Sequence, residues 1–257
     1  MRLSRNERET MMPNKPLIIA HRGAKGMAPE NTLAAFRLAL SQGCQGIELD
    51  IHLTADDHIV VCHDSTLDRT TNGSGAIVNQ TLMEIQAYDA GGWCADEYKG
   101  EIVPTLDEVF ELVPQTVMIN IEVKNAYSGR IECKLIDLLR QRGRVEDVVI
   151  SSFDHKCIRR IKQMEPRLKI GLLYQANLLD PVAYARGFDV EVYSLHPQFQ
   201  MLDAEDVQQA VAQGLRVYPF TANSEKDLSR LMEMGVSGII TDFPCRMKEL
   251  VDARHSG

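Results

Sequence analysis

Short apolar runs recur along the chain, separated by segments whose apolar residues return every three or four positions. Each run is rich in Val, Ile and Leu and is bounded by turn or capping residues, which is typical of a buried parallel strand. The pattern predicts eight strands, at residues 17–21, 46–53, 117–124, 147–153, 169–174, 190–196, 215–221 and 238–242.

The segments between these runs have the apolar stripe of amphipathic helices. The first carries Leu33, Phe36 and Leu40 on one face. Predicted helices cover residues 31–42, 107–113, 131–142, 155–164, 204–213 and 224–234, with a shorter one at 180–186. Glycine follows four of them, at the position where a left-handed C-cap favours it.

Alternation of strand and helix predicts parallel strands, and eight such units predict an α/β fold of the (β/α)8 TIM barrel class. Such a barrel needs about 250 residues, and the chain has 257. An open doubly wound sheet is the alternative. The sequence has neither GxGxxG nor GxxxxGK[ST], which weakens the nucleotide-binding version of that alternative.

One interval breaks the alternation. After the second strand, residues 55–57 predict a turn and 59–62 a returning strand, and a turn-rich stretch with a short helix at 82–87 runs to 104. An insertion this long, at about 65–104, is usually functional in a compact barrel, and we expect it to cap the barrel mouth. The other predicted parts are a flexible N-terminal tail at 1–15, one barrel domain at 16–250 and a C-terminal tail at 251–257.

Composition limits the kinds of molecule that the protein is expected to bind. The formal net charge of -8 argues against binding to nucleic acid or an anionic membrane, and no apolar run is long enough for stable insertion into a bilayer. The N-terminus lacks the apolar region of a signal peptide, and the six cysteines form no CxxC pair. We therefore expect a cytoplasmic protein with reduced thiols. A homo-oligomer remains possible, because nothing in the sequence sets the oligomeric state.

Acidic residues gather at the C-terminal ends of predicted strands, where TIM barrels hold their active groups. Because side chains alternate across a strand, Glu48 and Asp50 share one face, and so do Glu122 and Lys124. Three buried carboxylates are costly without compensation, and their oxygen atoms suit one divalent cation, Mg²⁺ or Ca²⁺. Alternatively, Lys124 forms a structural ion pair with Glu122 or Glu48.

Two histidines follow apolar runs and should reach the same mouth. His21 ends the first strand and His63 ends the returning strand, and beside a cation such a pair can act as base and acid in one displacement. Arg22 and Lys124 can hold phosphate oxygens, Arg22 through its guanidinium fork. Together these groups suit transfer at phosphorus.

Several motifs around these residues resemble the glycerophosphodiester phosphodiesterase family. They are HRGAKGMAPENTLAAF (21–36), IELDIHLTADD (47–57), VVCHDSTLDRTTNGSG (60–75) and INIEVK (119–124), then SSF (151–153), SLHP (194–197), FTAN (220–223) and TDFP (241–244). Two departures stand out. The family often has WTVN where this chain has FTAN, at the pocket wall, and Asp-Gly in the hairpin turn where this chain has Asp56-Asp57.

The resemblance implies a barrel that hydrolyses glycerophosphodiesters, such as glycerophosphocholine and glycerophosphoethanolamine, to glycerol 3-phosphate and an alcohol. The family's metal ligands correspond to Glu48, Asp50 and Glu122. Its acid/base histidines correspond to His21 and His63, and its phosphate contacts correspond to Arg22 and Lys124. We also expect substrate contacts from His196 and Phe220, and bracing of the first loop by Glu30 and Asn31.

In the expected reaction, His21 takes a proton from the attacking hydroxyl and His63 protonates the departing alcohol, although the sequence does not fix this order. The attacker is water or the substrate's own glycerol 2-hydroxyl. Two other functions stay open. A lysophospholipase D-like phosphodiesterase should expose an apolar rim, for which Gly91-Gly92-Trp93 offers a small candidate. A non-catalytic barrel that binds phosphorylated ligands should lack one of the residues named above.

Overall fold

The computed structural model describes residues 15–255, so residues 1–14 of the expected N-terminal tail lie outside it. Within this range, strands β1 to β9 are Leu17–His21, Gly46–Leu53, Ile59–Val61, Met118–Val123, Val148–Ser152, Lys169–Tyr174, Ser194–Pro197, Arg216–Val217 and Gly238–Thr241. Helices α1 to α9 are Leu33–Ser41, Leu82–Ile85, Leu106–Leu112, Arg130–Arg142, His155–Met164, Pro181–Arg186, Ala204–Ala212, Glu225–Met234 and Pro244–His255. Short 3₁₀ helices occur at Ile77–Asn79, Asp96–Tyr98, Tyr127–Gly129 and Phe199–Met201.

The strands form a nearly closed barrel. Eight parallel strands run in the order β8-β7-β6-β5-β4-β2-β1-β9, and β3 pairs with β2 in antiparallel fashion. Backbone hydrogen bonds from Ser237 N–H to Val217 O and from Ile240 N–H to Pro219 O, each 3.0 Å, join β8 to β9. The predicted (β/α)8 TIM barrel is confirmed, and the open doubly wound sheet is excluded.

The main core lies between the barrel wall and the surrounding helices. In β2, the apolar residues Ile47, Leu49 and Ile51 are fully buried in this core, and burying such a side chain contributes about 1.5–3 kcal/mol. Several helices end where glycine adopts a left-handed conformation, as at Gly143 and Gly235. The buried apolar side chains hold the strands in place, and the glycine caps end the helices that surround them. The site lies at the C-terminal ends of these strands.

The insertion between β3 and α3 has a small core of its own. It buries Val60, Cys62, Leu67, Ile77, Ile85, Ala90 and Val103. Two contacts hold it against the first strand–helix loop and the start of α1: Tyr98 Oη donates to Met27 O at 3.2 Å, and Ala34 N–H donates to Glu101 Oε2 at 3.2 Å. The insertion therefore lies beside the barrel mouth.

Three predicted segments differ from the structure. The strand expected at 190–196 begins only at Ser194, and the one expected at 215–221 is limited to Arg216–Val217, since Pro219 has no N–H for a regular ladder. Residues 251–255, expected as part of a tail, continue helix α9. Val251 is buried there in the core, four residues after the buried Met247, which is the spacing of one helical face.

Two further observations concern cysteines and membranes. All six cysteines are free thiols, and Cys44, Cys62 and Cys157 are buried. Between residues 15 and 255, no helix has both the length and the apolarity needed to cross a bilayer.

Candidate active site

Three carboxylates meet inside the barrel at the C-terminal ends of two neighbouring strands. Glu48 and Asp50 lie on β2 and Glu122 on β4, and Asp50 pairs with Glu122 in the parallel register. One oxygen of each carboxylate lies within 4.8 Å of the others, and all three residues are buried. The predicted alternation of faces therefore brings three negative charges together.

Two cationic side chains and an amide contact this cluster. Lys124 Nζ lies 2.7 Å from Glu122 Oε1 and 3.5 Å from Asp50 Oδ1. Arg22 Nε lies 3.3 Å from Asp50 Oδ2, which also accepts a 2.9 Å hydrogen bond from Asn31 Nδ2. The ion pair between Lys124 and Glu122, expected as the structural alternative, therefore exists. It lies in a site with three carboxylates and two cationic side chains, so negative charge remains in excess.

The crowding of charge changes the acidity of each carboxyl group. Burial raises the pKa of Glu48 well above its ordinary value, and the negative charges of Asp50 and Glu122 add to this effect. Burial and the charge of Asp50 also raise the pKa of Glu122, to about 7. For Asp50, burial alone would raise the pKa, but the charges of Arg22 and Lys124 outweigh it and lower the pKa. The cluster therefore favours uptake of a proton or a cation.

His21 is held by a carboxylate from the last strand–helix loop. Its Nδ1 lies 2.6 Å from Asp242 Oδ1, while Asn223 Nδ2 donates to Asp242 Oδ2 at 2.8 Å. Burial lowers the pKa of His21 below its ordinary value, although the hydrogen bond to Asp242 opposes this change. Because an ionised carboxylate only accepts, Nδ1 carries the proton. Nε2, 3.9 Å from Glu48 Oε2, is then unprotonated and faces the cluster.

His63, which follows β3, has the same arrangement. Its Nδ1 lies 2.7 Å from Asp64 Oδ1, and Asp64 accepts two hydrogen bonds from Arg69. Burial lowers the pKa of His63, while the negative charge of Asp50 opposes this change. Both histidines thus have a carboxylate at Nδ1, which leaves Nε2 of each ring available for proton transfer.

The sequence reasoning found both histidines but gave no role to these carboxylates. Asp64 is adjacent to His63, and Asp242 follows the last strand, so both positions carried a local signal. Arg69 carried none, because its contacts with the site are made only in the folded chain. Glu30, predicted to brace the first loop, does so by accepting a 2.8 Å hydrogen bond from Arg22 Nη1.

His196 does not lie where the sequence reasoning placed it. It is fully buried, its Nε2 lies 2.8 Å from Ser194 Oγ, and its ring packs edge-on against Tyr218. The ring occupies the space beside Gly171, where an added Cβ would be 2.4 Å from Nε2. Burial lowers the pKa of His196 to about 3. His196 is therefore a residue of the barrel interior, and its predicted contact with substrate is not supported.

Phe220 lies at the mouth of the barrel, whereas His52 is buried on β2. Phe220 is half-buried at the mouth, with its ring edge-on to Phe153 and 6.0 Å between centroids. His52, one alternation beyond Asp50 on β2, is buried and contacts Tyr127 Oη and the carbonyl of His63. Phe220 can therefore reach a ligand in the mouth, whereas His52 supports the His63 backbone.

Comparisons with known proteins show which family the chain is similar to. A profile of the family described as glycerophosphoryl diester phosphodiesterase matches residues 21–246. The chain is 45% identical over 241 residues to a glycerophosphodiester phosphodiesterase of Caldanaerobacter subterraneus subsp. tengcongensis, covering 92% of this chain and 98% of that one. A Bacillus subtilis glycerophosphodiester phosphodiesterase is 33% identical over 252 residues, with coverage of 91% and 86%.

Solved structures extend the likeness to three dimensions. An Oleispira antarctica phosphodiesterase, in complex with the product sn-glycerol-3-phosphate, matches with a TM-score of 0.86 and 32% identity over 92% of this chain and 97% of that one. The glycerophosphodiester phosphodiesterase of Agrobacterium tumefaciens strain C58 matches with a TM-score of 0.78 and 30% identity, covering 91% and 99%. The chain therefore belongs to the glycerophosphoryl diester phosphodiesterase family, whose members are phosphoric diester hydrolases.

Proposed function

We propose that this protein hydrolyses small glycerophosphodiesters, such as glycerophosphocholine and glycerophosphoethanolamine, to sn-glycerol 3-phosphate and an alcohol, and that it requires one divalent cation. The observation that carries the proposal is the meeting of three buried carboxylates beside two histidines whose Nε2 atoms are available. The Oleispira antarctica phosphodiesterase, which binds sn-glycerol-3-phosphate as product, supports this substrate class.

Glu48, Asp50 and Glu122 would hold the cation. Their oxygen atoms lie within 4.8 Å of one another, and Asp50 Oδ1 is buried without a hydrogen-bond partner. A set of carboxylate oxygens suits Mg²⁺ or Ca²⁺ and disfavours zinc, which prefers nitrogen and sulfur ligands. When bound, the cation would supply positive charge that stabilises the phosphate group during the displacement.

Arg22 and Lys124 would hold the phosphodiester. Both side chains lie at the carboxylate cluster, so their positive charge is directed to the place where the phosphate must approach. Arg22 is fixed by Glu30, which leaves its guanidinium fork in a defined orientation. A fixed fork and a nearby ammonium group stabilise the charge that develops on phosphate oxygens during the displacement.

The two histidines would move the protons. His21 Nε2 takes a proton from the attacking oxygen, whether water or the glycerol 2-hydroxyl, as that oxygen bonds to phosphorus. The bond from phosphorus to the alcohol oxygen breaks, and the doubly protonated imidazolium form of His63 donates its Nε2 proton to that oxygen. If the glycerol 2-hydroxyl attacks, this first step gives a cyclic phosphate. His63 then takes a proton from water as the water oxygen bonds to phosphorus, and His21 returns its proton to the 2-oxygen as the ring opens to glycerol 3-phosphate. His63 suits the acid role because its side chain is 31% exposed, against 12% for His21, so the alcohol departs past it into solvent.

The test is a panel of phosphodiesters assayed with Mg²⁺, Ca²⁺, Mn²⁺ and excess chelator, with sn-glycerol 3-phosphate measured as product. We expect the cation to be essential and glycerophosphocholine or glycerophosphoethanolamine to be turned over. Glu122→Gln should lose cation binding by calorimetry and activity while remaining folded by circular dichroism. Full activity in chelator would refute the cation requirement. Complete absence of glycerol 3-phosphate release would instead favour the non-catalytic barrel.

A lysophospholipase D-like activity is the second candidate, since apolar side chains are exposed near the C-terminal ends of the strands. Leu179 is fully exposed in the loop after β6, and Phe153 and Trp93 are also exposed. Comparing turnover of glycerophosphocholine with that of lysophosphatidylcholine separates the two functions. Cytoplasmic location and homo-oligomer formation also remain predictions, which fractionation of cells and light scattering would test.

A further inference from the structure

Arg69, a residue of the insertion, binds two carboxylates beside the site, Asp64 and Glu30. Its Nε donates to Asp64 Oδ2 at 2.7 Å and its Nη2 to Asp64 Oδ1 at 3.0 Å. The same guanidinium donates to Glu30 through Nη1 to Oε2 at 3.0 Å and through Nη2 to Oε1 at 2.8 Å. One side chain therefore binds two carboxylates, each through two hydrogen bonds.

Each of these carboxylates holds a different functional side chain. Asp64 Oδ1 lies 2.7 Å from His63 Nδ1. Glu30 Oε1 accepts a 2.8 Å hydrogen bond from Arg22 Nη1. The contacts thus run without interruption from the ring of His63, through Asp64, Arg69 and Glu30, to the guanidinium of Arg22.

The segment that carries Arg69 is itself held firmly. Leu67 is fully buried in the core of the insertion, and Thr70 and Thr71 are buried beside it. Thr71 Oγ1 donates to Leu67 O at 2.7 Å, and the N–H of Thr71 donates to the same carbonyl at 3.1 Å. A guanidinium on a fixed backbone can orient the carboxylates it binds, whereas one on a mobile loop would follow them.

We propose that Arg69 is a positioning residue that sets His63 and Arg22 together, so that proton donation to the departing alcohol and phosphate binding share one geometric control. The inference rests on the proposed function. Arg69 touches neither the carboxylate cluster nor the reacting atoms, and it acts through Asp64 and Glu30. Lysine cannot replace it, because an ammonium point charge cannot bind two carboxylates with fixed directions.

The first experiment compares two substrates that share a glycerol phosphate but differ in the departing group. Glycerophosphocholine releases an alcohol that needs a proton, whereas the p-nitrophenyl ester of glycerol 3-phosphate releases a nitrophenolate that does not. We expect Arg69→Met to lower kcat/KM about 100-fold for glycerophosphocholine and about 10-fold for the nitrophenyl ester, because small misplacements cost this much. Arg69→Lys should show nearly the same losses.

Two further variants separate the branches. Asp64→Asn should affect mainly glycerophosphocholine, because Asp64 contacts His63 directly and reaches Arg22 only through Arg69 and Glu30. Glu30→Gln should affect the two substrates more evenly, because Glu30 binds Arg22 directly and reaches His63 only through Arg69 and Asp64. Adding Asp64→Asn to Arg69→Met should cause little further loss, since the two changes break one chain of contacts.

Arg160 provides a matched control. Its side chain is 44% exposed and binds the buried carboxylate of Glu132. Likewise, the side chain of Arg69 is 45% exposed and binds the buried carboxylate of Glu30. Arg160 lies on α5, outside the barrel wall. Arg160→Met should therefore leave kcat/KM for both substrates at the wild-type level. Equal behaviour of Arg69→Met and Arg160→Met, or equal losses on both substrates in Arg69→Met, would overturn the inference.

A spectroscopic measurement tests the inference without turnover. At a pH above the pKa of His63, ¹⁵N NMR of the wild type should show the neutral imidazole of His63 as the Nδ1–H tautomer, and Arg69→Met should show a mixture of tautomers. An unchanged tautomer would contradict the positioning role even if the variant had lost activity. Absence of glycerophosphocholine hydrolysis by the wild type would count against the proposed function, and the NMR result would still decide the role of Arg69.

Discussion

The substitution Glu48→Gln tests the electrostatic account of the carboxylate cluster most directly. With ligand oxygens within 4.8 Å of one another, each pair of ionised carboxylates repels by about 3.5 kcal/mol or more at an effective dielectric constant of about 20. Arg22 and Lys124 offset part of this repulsion. We therefore expect the metal-free variant at pH 7–8 to be about 1–3 kcal/mol more stable than the metal-free wild type, a fraction of the pair repulsion.

The pH dependence has a defined sign. Because burial and neighbouring charges raise the pKa of Glu48, the folded metal-free protein retains a proton that the unfolded chain releases. Its stability must therefore fall as pH rises above the ordinary carboxyl pKa of about 4.3. Glu48→Gln should weaken this decline, since glutamine does not titrate and the part that remains comes from Glu122, whose pKa is also raised.

Thermal unfolding by circular dichroism, with and without Mg²⁺ or Ca²⁺, provides the assay. At about 100 times the dissociation constant the cation should stabilise the wild type by about 2.7 kcal/mol, and each kcal/mol raises Tm by about 2–4 °C at this chain length. Glu48→Gln should lose most of that increase. Glu132→Gln is the control, because its buried carboxylate is paired with Arg160, so this substitution should destabilise. Lower metal-free stability of Glu48→Gln together with an undiminished response to the cation would refute the reasoning.

Three further predictions follow from other contacts. Asp242→Asn should lower kcat by about 10²- to 10⁴-fold, because asparagine favours the wrong tautomer of His21; steady-state kinetics at unchanged Tm would check it. Phe220→Ala should lower kcat/KM for glycerophosphocholine about 3- to 30-fold relative to glycerophosphoethanolamine if its ring faces a quaternary ammonium group, and Phe220→Trp should not. Burial alone would raise the pKa of Glu30, but Arg69 and Arg22 lower it to about 2, so its contribution to stability is present above pH 4.5 and lost as pH falls towards 2. Urea unfolding between pH 5 and 2.5 should accordingly show a smaller loss of stability in Glu30→Gln than in the wild type.

The alternation of apolar and acidic residues made the centre of the site predictable. In β2 the core residues Ile47 and Leu49 leave only one direction for Glu48 and Asp50, and β4 repeats the pattern with Glu122. Strand periodicity is a local property, so it is visible in the sequence. Position at the C-terminal end of a barrel strand then carries the side chain to the mouth.

Contacts between distant segments were not predictable in the same way. Nothing near Arg69 in the sequence indicates that it binds Glu30, 39 residues earlier. The orientation of His196 depends on Gly171, a residue of the neighbouring strand β6 that leaves room for the ring. Helix α9 was not among the predicted helices, and the burial of Val251, which holds its end against the barrel, depends on the assembled core.

The pairing of β1 with β9 determines when the barrel can close during synthesis. His21 and Asp242 are 221 residues apart in the chain, and β1 has β9 as one of its two neighbours in the barrel. During synthesis from the N-terminus, that side of the first strand stays an unpaired edge until residues 238–241 have left the ribosome. His21, which we propose as base, therefore gains its orienting carboxylate, Asp242, only when the barrel closes. A nascent chain, or one truncated before β9, should be unable to turn over substrate.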